Sequence, residues 1–269
     1  DEAERQEMIQ TDFLTKAAKE TGMTIADALL KFKHAQPPLP ALLSMIPLIK
    51  PRAYSIASAP DALPSQIELL VLIETWWCDE GMRYGMTCNM TRQLNAGDHI
   101  WCRIHPGSME PPSPQNPVVC AGIGSGLAPH MAFLRNHVHA AKAGEEVAPF
   151  SLYFGNRFKA EEYLYQEELE EYAKKYEWLN LHSAFSRDDP NHKVYVQDLV
   201  GMTDDARFLL RENPKGLLYV CGNRQLPKPL QDALTRTFAK HSDDKDELAA
   251  AAAAVEDLYI KGRAQQEVW

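Results

Sequence analysis

The 269-residue sequence lacks the long apolar runs and the positive charge that mark several large protein classes. No apolar run approaches the roughly 20 residues that cross a bilayer, and no secretory signal peptide is visible. The formal net charge is −9, so bulk attraction to nucleic acid or to anionic lipid is not expected. Because the sequence starts with Asp1 and not with Met, a membrane anchor in a preceding segment stays open.

The chain is also poor in cysteine and in ordered histidine clusters. Its five cysteines are scattered and odd in number, which excludes a disulfide framework and favours a reducing compartment. They are Cys78, Cys88, Cys102, Cys120 and Cys221. Neither these nor His137, His139, His182 and His192 have metal-ligand spacing, so we expect no metal and interpret those histidines as solvated surface residues. We expect a cytoplasmic location, with association to the cytoplasmic face of a membrane only through an unseen anchor.

The first 112 residues predict helices followed by strands. Apolar spacing predicts helices over residues 1–34, the second of them capped by Thr24. Three stretches then read as strands, and a short helix is predicted near residues 88–94. The predicted strands are residues 53–58, 67–73 and 99–104. We therefore expect connecting helices over 1–50 and part of an antiparallel barrel over 51–112, with the Pro-rich residues 106–117 as the domain boundary.

From residue 113 onward, short apolar strands alternate with helical patterns. This rhythm predicts a doubly wound parallel sheet with helices on both faces, over residues 113–269. The predicted strands are 118–121, 151–154, 179–184 and 217–221, and the predicted helices are 129–142, 161–176, 197–212, 227–241 and 245–262. The fold class predicted for the whole chain is therefore α/β.

A glycine-rich loop joins the first of these strands to its helix. It carries Gly122, Gly124, Ser125 and Gly126 and ends in Leu-Ala-Pro129. Glycines let the backbone approach a pyrophosphate, and a helix start supplies N–H donors. We interpret the loop as a nicotinamide-nucleotide site, although a glycine-rich turn without a ligand is the alternative.

A second polar cluster follows the predicted strand at 179–184. Ser186, Arg187, Lys193, Tyr195 and Gln197 combine two cations with hydroxyl and amide groups. Such a set suits a phosphate monoester, here the 2′-phosphate that distinguishes NADPH from NADH. Taken alone, the cluster is better explained by an ordinary solvated loop that carries two basic residues.

The sequence ends on Trp269, a bulky aromatic behind a long helical stretch. An aromatic at a chain end normally frays unless it docks against something flat. Residues 51–58, Pro-Arg-Ala-Tyr-Ser-Ile-Ala-Ser, look like a flavin-binding strand. A flavin ring is therefore the surface that we expect Trp269 to cover.

The order of these patterns from about residue 40 to residue 269 resembles the ferredoxin–NADP reductase superfamily. It runs Arg-x-Tyr-Ser, Gly-x-x-Cys, Gly-x-Gly-x-Gly-x-Ala-Pro, Tyr-Phe-Gly with Tyr-Leu-Tyr, Ser-Arg with Lys-x-Tyr-x-Gln, Tyr-Val-Cys-Gly, and a final Trp. Within it, the chain looks like the connecting, FAD and NADPH part of a diflavin reductase, the group of the NADPH–cytochrome reductases. The helical start at residues 1–35 distinguishes it from single-flavin members, which lack such helices.

The resemblance implies roles for individual residues on the FAD side. Arg52 would pair with the FAD pyrophosphate, Tyr54 would pack on the flavin, and Ser55 would hydrogen-bond near flavin N5. A loop at a predicted helix start would lay backbone N–H groups on the same pyrophosphate. Its residues are Gly85, Met86, Thr87 and Cys88.

On the nicotinamide side the resemblance brings Ser55, Cys221 and Glu267 together as catalytic residues, with Trp269 over the flavin. The chain departs from the common pattern at three places. Glu267 stands where Asp is usual, His130-Met131 where Phe-Arg is usual, and Asn223 where Asp is usual. A glutamate is one methylene longer than an aspartate, which shifts a positioned carboxylate by about an ångström.

The function that the resemblance implies is hydride transfer from NADPH to FAD, then electron transfer to FMN and to a haem or iron–sulfur acceptor. The flavodoxin-like FMN domain and the first barrel strands are missing from this sequence, so we expect a part of a longer polypeptide or of an assembly. A single-flavin reductase and a catalytically silent nucleotide-binding domain are the alternatives; the departures at residues 130, 223 and 267 are the support for the second.

Overall fold

The computed structural model describes residues 16, 20, 22–46, 48–78 and 81–269. These residues form two compact units that are described separately. The first unit comprises the described residues of Asp1–Ala53 together with Val71–Cys102, and the second comprises Tyr54–Leu70 together with Arg103–Trp269. In the described part of the chain, every helix is too short or too polar to cross a bilayer.

The first unit contains short helices and one antiparallel strand pair. Its elements are α1 (Ile25–Lys31), α2 (Leu39–Met45), β1 (Thr75–Cys78), β2 (Gly81–Tyr84) and α3 (Met86–Thr91). The predicted cap at Thr24 is present, since its hydroxyl accepts the backbone N–H of Asp27 and its own N–H donates to the Asp27 carboxylate. That carboxylate also binds the Arg83 guanidinium at 2.8 Å. The rest of the helices predicted over 1–34 lies mostly outside the described residues.

The second unit is built on a five-stranded sheet whose strands are all parallel, in the order β5-β4-β3-β6-β7. The strands are β3 (Val118–Ile123), β4 (Phe150–Asn156), β5 (Leu179–Phe185), β6 (Leu217–Gly222) and β7 (Ala264–Val268). The helices are α4 (Leu127–Lys142), α5 (Lys159–Glu162), α6 (Gln166–Lys175), α7 (Val196–Met202), α8 (Pro227–Phe238) and α9 (Lys245–Ile260). A 3₁₀ turn at Gly124–Gly126 and a π-helix at Arg207–Arg211 complete it.

Each face of this sheet carries its own apolar core, because successive side chains of a strand point to opposite faces. On one face, Cys120, Tyr219 and Cys221 pack with α4 and α6. On the other, Val119 and Val220 pack with α7, α8 and α9. The two-stranded antiparallel sheet and the parallel sheet covered on both faces confirm the α/β class and the doubly wound arrangement predicted from the sequence.

The three strands predicted in the FAD region do not form regular strands, so these predictions are wrong. Residues 53–58 and 67–73 meet only at an isolated antiparallel bridge between Ile56 and Leu69, and residues 99–104 form no strand at all. Within the described part of the chain these segments lack further pairing partners, and a strand without a ladder is not stable. The strand pair of this region lies instead at β1 and β2, where none was predicted.

Two predicted helices are interrupted and one strand was missed. The helix predicted over 161–176 is broken before α6 by Tyr165, whose φ is +55°. The helix predicted over 197–212 ends at Met202, because Thr203 is extended with φ −123° and ψ 154°. The residues after the last helix, where no strand was predicted, form β7 beside β6.

Candidate functional site

The carboxyl ends of the five parallel strands share one edge of the sheet, which is where α/β proteins bind ligands. The predicted nucleotide loop lies at this edge, directly after β3. Gly124 adopts a positive φ of 56°, which a glycine allows without strain, and α4 starts at Leu127 and continues for 16 residues. The main-chain N–H groups at the start of such a helix suit a phosphate.

Gly126 brings this loop into contact with the end of β6. A Cβ placed on Gly126 would lie 2.2 Å from the carbonyl oxygen of Cys221 and 2.9 Å from the nitrogen of Gly222. Only glycine permits so close an approach. The nucleotide loop and Cys221, which the sequence separates by almost a hundred residues, are therefore in direct contact.

Cys221 and Glu267 are neighbours on adjacent strands. They are partners in the register of β6 and β7, and paired residues of parallel strands face the same side of the sheet. Cys221 is fully buried and Glu267 is half-buried. Burial, together with the nearby Glu267 carboxylate, raises the pKa of the Cys221 thiol to about 12, so the thiol stays protonated at neutral pH.

The main chain of Trp269 is fixed beside the same strand ends. Its N–H donates to the Gly222 carbonyl at 3.1 Å, and its carbonyl accepts the N–H of Arg224 at 3.2 Å. Its side chain is 53% exposed. The indole can therefore change position by side-chain rotation while its backbone stays attached to the sheet.

The predicted flavin residues Tyr54 and Ser55 belong to the second unit and are half-buried. Directly after them the chain is held firmly. The N–H of Ala57 donates to the Glu68 carbonyl at 2.8 Å, and the N–H of Glu68 donates to the buried Ser58 hydroxyl at 3.0 Å. These bonds hold the chain in place directly after Ser55, although residues 53–58 form no regular strand.

The polar cluster that was predicted to bind a phosphate monoester follows β5 at the same edge of the sheet. We call it the phosphate-ester cluster, and it consists of Ser186, Arg187, Lys193, Tyr195 and Gln197. The N–H groups of Ser186 and Arg187 donate to the carbonyls of Asn156 and Arg157, at 3.0 and 2.8 Å. This leaves the Arg187 side chain exposed, with its guanidinium 6.0 Å from the centre of the Phe158 ring.

The remaining members of that cluster lie where the chain enters α7. Lys193 and Tyr195 are exposed, and the N–H of Tyr195 donates to the Asp198 carboxylate at 2.8 Å. Gln197 lies in the first turn of α7. Two solvent-accessible cations and these polar groups form a donor set that fits a phosphate monoester.

The other predicted FAD residues lie in the first unit. The Arg52 guanidinium is exposed and donates to the Lys50 carbonyl at 2.9 Å. Gly85 precedes α3, which carries Met86, Thr87 and Cys88. An accessible arginine and a helix start are donors of the kind that pyrophosphate requires.

Cys88 itself has a packing role in this structure. Its buried Sγ accepts the N–H of Glu74 at 3.4 Å and contacts the Leu72 carbonyl at 3.3 Å. The Cys88 thiol thus holds α3 against the chain that leads into β1. The roles assigned to all of these residues from the resemblance stay predictions.

The interpretation of the histidines as surface residues is wrong for two of the four. His137 is fully buried and bonds to the Phe133 carbonyl, and His182 is partly buried and binds Asp205 at 2.8 Å. His139 and His192 are exposed as predicted. In the described part of the chain, no group of three His, Cys, Asp or Glu side chains is arranged to hold a metal ion.

Sequence reasoning noted His130 as a departure from the family pattern but did not predict its buried position directly behind the nucleotide loop. Its ring is fully buried and would be 2.7 Å from a Cβ on Gly122. Burial lowers the pKa of His130 to about 4, so the ring is neutral at physiological pH. A neutral ring here fills the place of an apolar side chain.

Comparisons with known proteins agree with this geometry. Residues 2–90 match the family model described as FAD binding domain, and residues 119–232 match that described as oxidoreductase NAD-binding domain. The chain is 43% identical to pyruvate dehydrogenase [NADP(+)] of Euglena gracilis, over 91% of this chain and 13% of that protein. It is 33% identical to the sulfite reductase [NADPH] flavoprotein component of Saccharomyces cerevisiae, over 91% of this chain and 24% of that protein.

A third relative is the inducible nitric oxide synthase of Oryctolagus cuniculus, 29% identical over 91% of this chain and 50% of that sequence. The chain thus spans between about one eighth and one half of the length of these relatives.

Fold, site and comparisons together define a flavoprotein oxidoreductase module that combines an FAD-binding domain with a nicotinamide-nucleotide-binding domain. The chain joins an FAD-binding domain to an oxidoreductase NAD-binding domain and belongs to the ferredoxin–NADP reductase superfamily.

Proposed function

We propose that this chain is the electron-entry part of a longer diflavin enzyme or of an assembly. It takes hydride from NADPH onto FAD and passes electrons singly to the FMN of a flavodoxin-like domain, in the same polypeptide or in a separate one. From there the electrons reach a haem or iron–sulfur acceptor. The relatives support this scheme, since they include a sulfite reductase flavoprotein component and a nitric oxide synthase.

The observation that carries the proposal is the order of the candidate groups along the sheet edge. The phosphate-ester cluster follows β5, the glycine loop follows β3, and Cys221 with Glu267 lies at β6 and β7. Three strand steps of about 4.8 Å separate β5 from β6, or roughly 14 Å. An extended NADPH molecule fits this span with its 2′-phosphate at β5, its pyrophosphate at the loop and its nicotinamide at β6.

The residues of the chain then have distinct tasks. Arg187 and Lys193 bind the 2′-phosphate, and the loop N–H groups bind the pyrophosphate. The Glu267 carboxylate stabilises the positive charge that develops on the nicotinamide as hydride leaves. Cys221, protonated and buried, contributes a small neutral surface that excludes water. The flavin itself supplies the hydride-accepting chemistry.

The test uses the chain reconstituted with FAD. We expect a flavin spectrum and ferricyanide reduction that is much faster with NADPH than with NADH. Bound flavin that NADPH does not reduce would refute the proposal. Binding of NADP⁺ without binding of FAD would instead favour the alternative of a silent nucleotide-binding domain.

The single-flavin alternative makes a different prediction about partners. Reduced FAD in the proposed enzyme should pass electrons to an added flavodoxin-like FMN protein, and it should need that protein to reduce a haem protein. Direct reduction of a ferredoxin without FMN would favour a single-flavin reductase. We further propose a cytoplasmic location, with any membrane attachment confined to a segment outside this sequence; cell fractionation of the native protein tests it.

A further inference from the structure

Arg135 lies near the centre of α4 and is the hub of a buried ionic network in the second unit. Its side chain is only 12% exposed. On one side it binds Glu168 of α6 through two nearly parallel bonds of 2.8 and 2.7 Å. On the other side it donates to the Ala57 carbonyl at 2.8 Å and to the Glu68 carboxylate at 3.0 Å.

The second set of partners belongs to the segment that carries the predicted flavin residues. Ala57 follows Ser55 by two positions, and Glu68 is paired with Ala57 through the main chain. Arg135 therefore contacts both arms of the short antiparallel pairing around Ile56 and Leu69. That pairing has a single bridge, so the guanidinium supplies fixation that a longer ladder would normally provide.

Two tyrosines complete the network. Tyr165 donates to Glu68 at 2.6 Å and lies with its ring 5.0 Å from the Arg135 guanidinium, and Tyr172 donates to Glu168 at 2.9 Å. One cation and two hydroxyls thus satisfy two carboxylates. Burial opposes ionisation of Glu168, but the bonds from Arg135 and Tyr172 outweigh it and lower the pKa of that carboxyl.

One rigid element connects this network to the nucleotide loop. Helix α4 starts at Leu127, immediately after the loop, and Arg135 follows eight residues later. At 1.5 Å per residue the two points are roughly 12 Å apart along the helix axis. The helix thus carries the NADPH loop at one end and the anchor of the flavin-side segment near its middle.

We propose that Arg135 is a positioning residue for hydride transfer, which fixes the segment of Tyr54 and Ser55 relative to the nucleotide loop through α4. The inference rests on the proposed function. It predicts that loss of Arg135 slows the hydride step. NADPH binding should not weaken, because the hydrogen bonds of Arg135 go to Ala57, Glu68 and Glu168 and not to the glycine loop or the phosphate-ester cluster. A misplacement of about 1 Å between reacting groups can cost about a hundredfold in rate.

The test compares Arg135→Gln and Arg135→Lys with Arg207→Gln. Arg207 is a matched control, since it is also 12% exposed and also pairs with two carboxylates, those of Asp204 and Glu212. We expect Arg135→Gln to accelerate hydrogen exchange at residues 54–70 and to lower the single-turnover rate of FAD reduction by at least tenfold. The NADP⁺ dissociation constant should stay within about twofold, and Arg135→Lys should restore part of the rate.

Two readouts separate positioning from general stabilisation. NADPH deuterated at the transferred position should show a larger isotope effect in Arg135→Gln than in the parent chain, because the hydride step becomes more rate-limiting. Unchanged exchange at residues 54–70, or a rate loss no greater than in Arg207→Gln, would overturn the inference.

Failure of the proposed function gives a different pattern. If NADPH does not reduce FAD even in the parent chain, the proposed function fails. Hydrogen exchange at residues 54–70, measured on the flavin-free chain, still decides whether Arg135 holds that segment. If Arg135→Gln does not fold, Glu68→Gln replaces it, because that variant keeps the Arg135–Glu168 pair and weakens the bonds that Arg135 and Tyr165 make to Glu68. It should show the same faster exchange and slower hydride step, and parent-like values would overturn the inference.

Discussion

The change Gly126→Ala tests directly whether contact between the nucleotide loop and β6 matters. The residue has a φ of −61°, an ordinary value for alanine, so the substitution causes no backbone strain of its own. Its added Cβ would however lie 2.2 Å from the Cys221 carbonyl oxygen, about 1.2 Å short of the 3.4 Å at which ordinary contact begins. Both partners are main chain, so the loop must move away from β6.

The size of the effect follows from that movement. Overpacking of this kind costs about 1–3 kcal/mol. For a domain of this size it lowers Tm by roughly 2–12 °C. A loop displaced by an ångström also loses good geometry for one charge-assisted bond to phosphate, which is worth about 1.5–3 kcal/mol. We therefore expect NADP⁺ to bind at least about tenfold more weakly.

The assay is calorimetric titration with NADP⁺ together with thermal unfolding of the same preparation. Gly201→Ala is the matched control. Gly201 lies in α7, where an added Cβ meets no atom within 4 Å, so alanine should leave affinity unchanged and stabilise the helix by about 0.5–1 kcal/mol. If Gly126→Ala kept the parent Tm and the parent affinity, the close contact described for the loop would be refuted.

Three further predictions concern other parts of the site. Arg187→Ala should raise the KM for NADPH by about 10–100-fold and leave that for NADH nearly unchanged, because it removes a charged bond to the 2′-phosphate only; equal rises in steady-state ferricyanide assays would contradict the assignment. Trp269→Ala keeps the two main-chain bonds and removes the ring, so kcat/KM should shift several-fold towards NADH, and an unchanged coenzyme preference would show that the ring does not guard the flavin. Burial lowers the pKa values of His130 and His137 to about 4. Between pH 6.5 and 4 these two side chains therefore bind protons in the unfolded chain but not in the folded chain. Stability should fall by up to about 3 kcal/mol per histidine between pH 6.5 and 4, and urea unfolding of His130→Phe should show a weaker pH dependence than the parent; an identical slope would argue against a buried neutral ring.

The sequence predicted the second unit well because three of its strands, β3, β4 and β6, are almost fully buried. Strands such as β3 and β4 are short apolar runs between turn signals, and such runs are recognisable without knowledge of their neighbours. β7 was missed because it is an edge strand. Its residues Ala-Gln-Gln-Glu-Val alternate polar side chains with few apolar ones, and its pairing with β6 depends on contacts that no local pattern shows.

The FAD region was predicted less well for a related reason. Residues 67–73 are aliphatic enough for a strand, yet apart from one bridge they have no ladder among the described residues. Strand formation requires a partner, so composition alone over-predicts it.

Individual site residues were predicted by resemblance, as was the proximity of Cys221 and Glu267, whereas the strand register and the loop contact that bring them together were not. No sequence pattern indicates that Gly126 contacts Cys221 or that Glu267 is the register partner of Cys221. Arg135 left one signal, a charged side chain between the buried apolar residues Met131 and Val138 on the same face of a helix. The partners Ala57 and Glu68 are nearly seventy residues or more away in sequence, which is why only a folded structure reveals them.

The position of the Arg135 network determines where this polypeptide can be divided. The matches to the two known domains end at residue 90 and begin at residue 119, which invites a cut between them to obtain a minimal nucleotide-binding fragment. Such a cut removes Ala57 and Glu68 and leaves Arg135 with Glu168 and a vacated apolar surface. A mostly buried guanidinium that loses two of its partners destabilises the fragment. A fragment that begins at Tyr54, or a hybrid reductase that carries residues 54–70 together with the parallel sheet from the same parent, should express and fold better than one divided at the apparent domain border.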